Sequence, residues 1–117
     1  MPGFPLSARL SEPHHYACVF DAAKIRVSTA SFLVLAIPSV AERSRLGIVV
    51  AKKNVRRAVR RNRLKRIIRE HFRQSKLIVR LDLVILARAP ADQLSSPLLW
   101  KDLEELWLSI NNKAASL

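Results

Sequence analysis

The sequence is short of cysteine, glycine and acid. One cysteine, Cys18, in 117 residues excludes an internal disulfide and a thiolate metal cluster. The two glycines, Gly3 and Gly47, exclude a glycine-rich phosphate loop and argue against a linker-rich chain. No apolar run approaches the roughly 20 residues that a membrane-spanning helix needs. The longest, "SFLVLAI" and "DLVILARA", are strand-sized. The start, "MPGFPLSARL", lacks the charged head, apolar middle and small-residue cleavage site of a signal peptide. These absences predict a soluble, cytoplasmic protein. No Ser-His-Asp or Cys-His constellation stands out. His14 and His15 are neighbours, and on a helix they would point about 100° apart, which is poor metal-ligand geometry. Neither a catalytic residue nor a metal or cofactor held by the protein itself is expected.

What is present is cation. Lys and Arg number 21 against nine Asp and Glu, for a formal net charge of +12. Such a charge repels itself unless a polyanion is at hand. Nucleic acid is the first expectation and an anionic membrane surface the second. Half of the residues are hydrophobic, enough for a real core. The length suits one domain, expected over 11–113 between flexible ends at 1–10 and 114–117.

The patterning reads α-β-β-β-α-β-α. "SEPHHYACVFDAA" suggests a first helix capped by Ser11, with Tyr16, Val19, Phe20 and Ala23 at helical spacing. "KIRVS" and "SFLVLAIP" read as a strand pair ended by Pro38. "RLGIVVAKK" reads as a third strand whose "GIVVA" centre suggests burial on both faces. A helix is expected from Val55 or Arg56 to Ser75, then a fourth strand in "LIVRLDLVILARA" that Pro90 stops. Asp82, just before its most apolar part, sets a turn or pairs with an arginine. "ADQL" suggests a helical turn. The last helix takes Ser96 as cap and Pro97 at its first position, with a stripe of Leu99, Leu103, Leu106, Trp107 and Ile110. The class is α+β, a sandwich of helices on a mixed sheet.

The fifth element carries the charge. Lys52 to Arg80 holds 13 of the 21 cations and a single acid, Glu70. On a wheel of about 100° per residue, Asn62, Arg66, Arg69 and Arg73 share one face, flanked by Arg63. Ala58, Leu64, Ile68 and Phe72 take the other, beside Ile67 and His71. His71 there is a packing histidine or a further nucleic-acid contact, and Trp100 and Trp107 favour core packing. Undiluted arginine favours a polyanion partner, because guanidinium grips phosphate oxygens in pairs. A helix-turn-helix would want a second adjacent helix, and strands bracket this one.

The stretch "RLGIVVAKKNVRRAVRRNRLKRIIREHFR" resembles the signature of the bacterial ribonuclease P protein subunit. Lys52, Lys53, Ala58, Arg61, Asn62, Arg63, Lys65, Arg66, Arg69, Glu70 and Phe72 carry the likeness. It extends over roughly residues 14–110. The resemblance implies a mixed four-stranded sheet with a left-handed βαβ crossover, against the general right-handed rule. It implies a catalytic RNA as partner, bound one to one, which removes the 5′ leader of precursor tRNA with its own Mg²⁺. The contacts to that RNA would be Lys52, Lys53, Arg56, Arg57, Arg61, Asn62, Arg63, Lys65, Arg66, Arg69 and Arg73, with Arg60 a further phosphate contact. The leader would lie between the first helix and the sheet, against Tyr16 and Phe20, with Phe32 lining the cleft and Leu35 in place of an aromatic. The alternatives are a structural RNA-binding protein of the ribosomal or chaperone type, and a membrane-surface protein. The modest apolar side of the helix disfavours the membrane.

Overall fold

The computed structural model describes residues 19–39, 43–75 and 77–116. Residues 19–22 are helical. They are followed by β1 (Ile25–Ser28), β2 (Phe32–Pro38), β3 (Arg45–Val49), helix α1 (Ala58–Gln74), β4 (Leu81–Ala87), a 3-10 helix (Ala89–Gln93) and helix α2 (Ser96–Ala114). The expected element order holds, and the expected mixed sheet is there. Its strand order is β1-β2-β4-β3, antiparallel between β1, β2 and β4 and parallel between β4 and β3. The Ser11 cap and Cys18 lie outside the described residues.

Strand alternation divides the sheet into two faces. Ile25 and Val27, then Phe32, Val34 and Ala36, then Leu81, Leu83 and Ile85, join the main core under α1 and α2. The other face holds Leu35 and Val84, which pack with Val19 from the helical residues 19–22. Leu33, Ile37, Val49 and Leu86 are only half-covered on that side.

The strand buried on both faces is β4, not β3 as its composition suggested. β4 sits between β2 and β3, and five of its residues in a row are buried. β3 is an edge strand, and Ile48 and Val49 are half-buried. Asp82 takes the arginine option. Arg45 Nε and Nη2 donate to its two carboxylate oxygens at 2.9 and 2.7 Å, pinning the β3–β4 register where Arg45 faces Asp82.

Helix α1 begins three residues later than Val55. The backbone N–H groups of Asn54 and Val55 both donate to the Ala51 carbonyl at 3.0 Å, closing a turn over Lys52–Asn54. Val55 then drives into the core with no exposure. Arg61 Nη1 holds the extended run by donating to the Val55 and Arg56 carbonyls at 3.1 and 2.8 Å. Ala58 is therefore exposed at the first turn rather than packed on the sheet. The rest of the inward face is as expected, with Leu64, Ile68, His71 and Phe72 buried. Each fully buried large side chain contributes roughly 1.5–3 kcal/mol. Repulsion between neighbouring cations on the helix costs only a few tenths each, so packing on the sheet decides that this charged segment is helical. In α2 the capping position is Ser95 rather than Ser96, and it makes no side-chain cap bond. The expected apolar stripe of α2 is buried throughout.

The two helices meet at His71. Trp107 Nε1–H donates to His71 Nδ1 at 2.7 Å, so the imidazole is neutral with its proton on Nε2. The Trp100 ring lies 4.5 Å from the His71 ring, and Phe72 meets Trp107 edge-on at 5.8 Å. His71 is thus a satisfied packing histidine. Burial pushes its pKa below the ordinary 6.5, while the Glu104 carboxylate pulls it up to a lesser extent. A depressed folded-state pKa means that the unfolded chain binds the proton more readily. The stability contribution is whole above pH 6.5 and is lost as pH falls below that value towards the folded-state pKa. Thermal melts of the native chain are expected to fall between about pH 8 and about pH 5, and His71→Gln, which keeps an acceptor but does not titrate, is expected to fall by less over the same interval. Equal falls would show that His71 does not carry the acid sensitivity.

Candidate nucleic-acid interface

The cationic helix sorts its side chains by where they find partners. Those toward α2 and the 3-10 helix are engaged. Arg60 is ion-paired with Asp92. Arg63 Nη2 donates to the Leu94 carbonyl at 3.0 Å and lies 3.5 Å from Ser96 Oγ, although its buried Nη1 has no partner. At the far end Arg73 pairs with Glu70, one turn back. Arg73 and then Gln74 hold the Glu70 carboxyl below its ordinary 4.5. Four of the expected RNA contacts, Arg60, Arg61, Arg63 and Arg73, are therefore already bonded inside the protein.

The side chains of Lys52, Lys53, Arg56, Arg57, Asn62, Lys65 and Arg66 take no hydrogen-bond or ion-pair partner among the described residues. Lys52, Lys53, Arg56, Arg57, Asn62 and Arg66 are exposed, and Lys65 and Arg69 are half-buried. This free set runs from the Lys52–Asn54 turn along the outward side of α1. The turn is fastened by Asn54, whose Nδ2 donates to the Ala87 carbonyl at the end of β4 at 3.1 Å. The α1 N-terminus has no acid in its first turn and no side-chain cap. Its open N–H groups and helix dipole thus add to the positive potential. Lys53, Arg56 and Arg57 line a hollow of about 510 Å³ at this point, together with Asn54, Gln93 and the paired Arg60 and Asp92.

A second hollow, of about 370 Å³, opens on the other face of the sheet. Leu33, Val49 and Leu86 form its apolar lining, and Lys53 and Arg88 bring charge to it. Lys53 and Asn54 border both hollows. Sequence reading missed Leu33, Val49, Leu86 and Arg88. The alternation of "SFLVLAIP" carried the signal for Leu33, but not which face would stay open. Phe20 is 44 % exposed on the helical residues beside that face. Phe32 is a correction. It has no exposure and packs in the main core under the long helices, on the opposite side of the sheet from the hollow. Leu35 is buried against Val19 and Val84. Tyr16 lies outside the described residues. No group of acids, histidines or cysteines suited to a metal occurs among the described residues, and no helix there is long and apolar enough to cross a membrane.

Fold and charge together define a class: a small α+β sandwich built to display one cationic helix. The family model described as Ribonuclease P matches residues 4–111. The chain is 44% identical over 106 residues to the ribonuclease P protein component of Chromohalobacter salexigens, covering 90% of this chain and 83% of that one. It is 39% identical over 114 residues to that of Methylococcus capsulatus, covering 97% and 88%. The RNase P protein of Staphylococcus aureus superposes with a TM-score of 0.77 at 29% identity, over 84% of this chain and 90% of that one. That of Thermotoga maritima superposes with a TM-score of 0.75 at 30% identity, over 85% and 94%. The chain belongs to the bacterial ribonuclease P protein family.

Proposed function

We propose that this chain is the accessory protein subunit of ribonuclease P in the bacterial cytoplasm. It joins the catalytic RNA one to one, holds the 5′ leader of precursor tRNA and assists endonucleolytic removal of that leader. The RNA carries the chemistry with its Mg²⁺, and the protein binds no cofactor of its own. The observation that carries this reading is the set of cations without a partner among the described residues, Lys52, Lys53, Arg56, Arg57, Lys65 and Arg66, in a chain of this family.

Two surfaces divide the work. The free side chains of α1 and of the preceding turn, joined by Arg69, neutralise phosphates of the catalytic RNA, a sequence-independent interaction. The hollow beyond Lys53 takes the unpaired leader. Leu33, Val49 and Leu86 give an apolar floor, Lys53 and Arg88 meet phosphates, and Phe20 offers a ring on which a base of any identity stacks. A leader of variable sequence suits such a surface.

Reconstitution with the RNA and precursor tRNA at low Mg²⁺ tests the reading. The protein is expected to stimulate leader cleavage. RNA binding without stimulation would instead indicate a structural RNA-binding protein. Phe20→Ala is expected to weaken leader-bearing substrate by roughly 1–3 kcal/mol, the worth of one base–aromatic stack, and to spare mature tRNA. Equal losses for the two RNAs would remove Phe20 from the leader surface.

A further inference from the structure

A third hollow among the described residues is lined by one acid and by no Lys or Arg. Between the C-terminal end of α1 and the middle of α2 lies a groove of about 430 Å³, walled by His71, Gln74, Trp100, Glu104, Trp107 and Leu108. Leu108 is 64 % exposed at its edge. Most acids among the described residues are spoken for. Glu70 pairs with Arg73, Asp82 with Arg45 and Asp92 with Arg60, while Asp102 accepts from Thr29 Oγ1 at 2.9 Å. Glu104 and its neighbour Glu105 are exposed and have no hydrogen-bond or ion-pair partner there. Lys101, one turn back, forms no ion pair with either.

Three features make the groove attractive to a cation. A free carboxylate stands at its wall. The α1 C-terminus brings the negative end of the helix dipole to Gln74 and Ser75, with the Phe72 carbonyl capped by Ser75. The half-buried Trp100 ring offers a negative π face. His71 is held neutral by the Trp107 bond and adds no competing charge. These features disfavour RNA, whose phosphates the groove would repel.

We propose that this groove docks an arginine side chain carried on a basic segment of a protein partner. The planar guanidinium lies on Trp100 and forks to Glu104, and its methylene stem packs along Trp107 and Leu108. Guanidinium fits better than ammonium, because it stacks on a ring while bonding a carboxylate in its own plane. None of the free cations of α1 lines the groove, so the two surfaces share no side chain.

Trp100 and Trp107 are the only tryptophans in the chain and both line the groove, so tryptophan fluorescence reports on this site. The probe is an acetylated, amidated Gly-Arg-Gly peptide at about 0.15 M salt, where the net charge of the protein is screened beyond about 8 Å. A saturable change with Kd of order ~1 mM is expected, weakened about tenfold by Glu104→Gln and by Trp100→Leu, which leaves Trp107 as reporter. The citrulline peptide, neutral but of the same shape, is expected to bind about tenfold more weakly. Leader cleavage is expected to be unchanged in Glu104→Gln, which separates this test from that of the RNA surfaces. Equal response to the citrulline peptide, or no effect of Glu104→Gln, overturns the proposal. Spermidine binding as tightly as the peptide would make this a polyamine site and overturn it too. So would self-association in sedimentation that Glu104→Gln abolishes, which would make the occupant a second copy of the chain.

Discussion

Lys53→Ala, Arg56→Ala, Arg57→Ala and Arg66→Ala combined in one chain are expected to weaken binding of ribonuclease P RNA by roughly 10²–10³-fold at about 0.15 M salt. Each lost phosphate contact removes about 0.7–0.9 from the slope of log K against log salt, so the slope is expected to flatten by about three. The magnitude follows from counterion release alone and needs no base-specific contact. Stability is expected to hold or rise, because these four side chains bond nothing among the described residues and repel one another. Arg60→Ala supplies the contrast. Arg60 is bonded to Asp92, so its loss is expected to cost about 1 kcal/mol of stability and to leave the salt slope nearly unchanged. A slope that falls as much for Arg60→Ala as for Arg66→Ala would show that the internal bonds do not sort these arginines. Filter binding or fluorescence anisotropy across a salt series measures both.

Asp82→Ala is expected to cost about 3 kcal/mol of stability and to lower Tm by about 10 °C. Asp82 and Arg45 keep only 9% and 17% of their side-chain exposure, and both carboxylate oxygens are bonded. Removing the acid takes away the carboxylate that accepts both of these bonds and leaves a largely desolvated guanidinium beside β4. The pair also holds the edge strand β3 to β4 in the only parallel pairing of the sheet, directly ahead of the Lys52–Asn54 turn. Replacing both partners, as Arg45→Met with Asp82→Leu, is expected to restore most of the loss, since an apolar pair avoids the stranded charge. Urea melts and a double-mutant cycle separate the two effects. A single-mutant loss under about 0.5 kcal/mol would show that water reaches Arg45 freely.

Much of the fold was legible because it rests on local periods. The inward face of α1, with Leu64, Ile68 and Phe72, follows from 3.6 residues per turn whatever the helix packs on. The stripe of α2 follows in the same way. Phe32 and Leu33 show where that legibility stops. They are adjacent on β2 and equally apolar, and alternation says only that they point oppositely. Pairing of Phe32 with Ala87 and of Leu33 with Leu86, and the two long helices α1 and α2 lying on one side only, decide that Phe32 is core while Leu33 borders an open hollow. The misreading of β3 has a similar cause. Its composition suits a buried strand, but β4 is inserted between β2 and β3 and leaves β3 at the edge.

The charge imbalance is legible in the sequence alone, because 13 cations against one acid in a single stretch leave most of them without a local acid and so predict a polyanion partner. The sequence motif determined the family. Only the tertiary structure decided which of those cations remain available. Arg60 and Arg66 carry the same guanidinium on the same helix, yet one meets Asp92 and the other meets solvent. The choice depends on a carboxylate 32 residues further along the chain. Spacing within a helix cannot encode such a contact, because the fold brings the two ends together only when the sheet and α2 are in place.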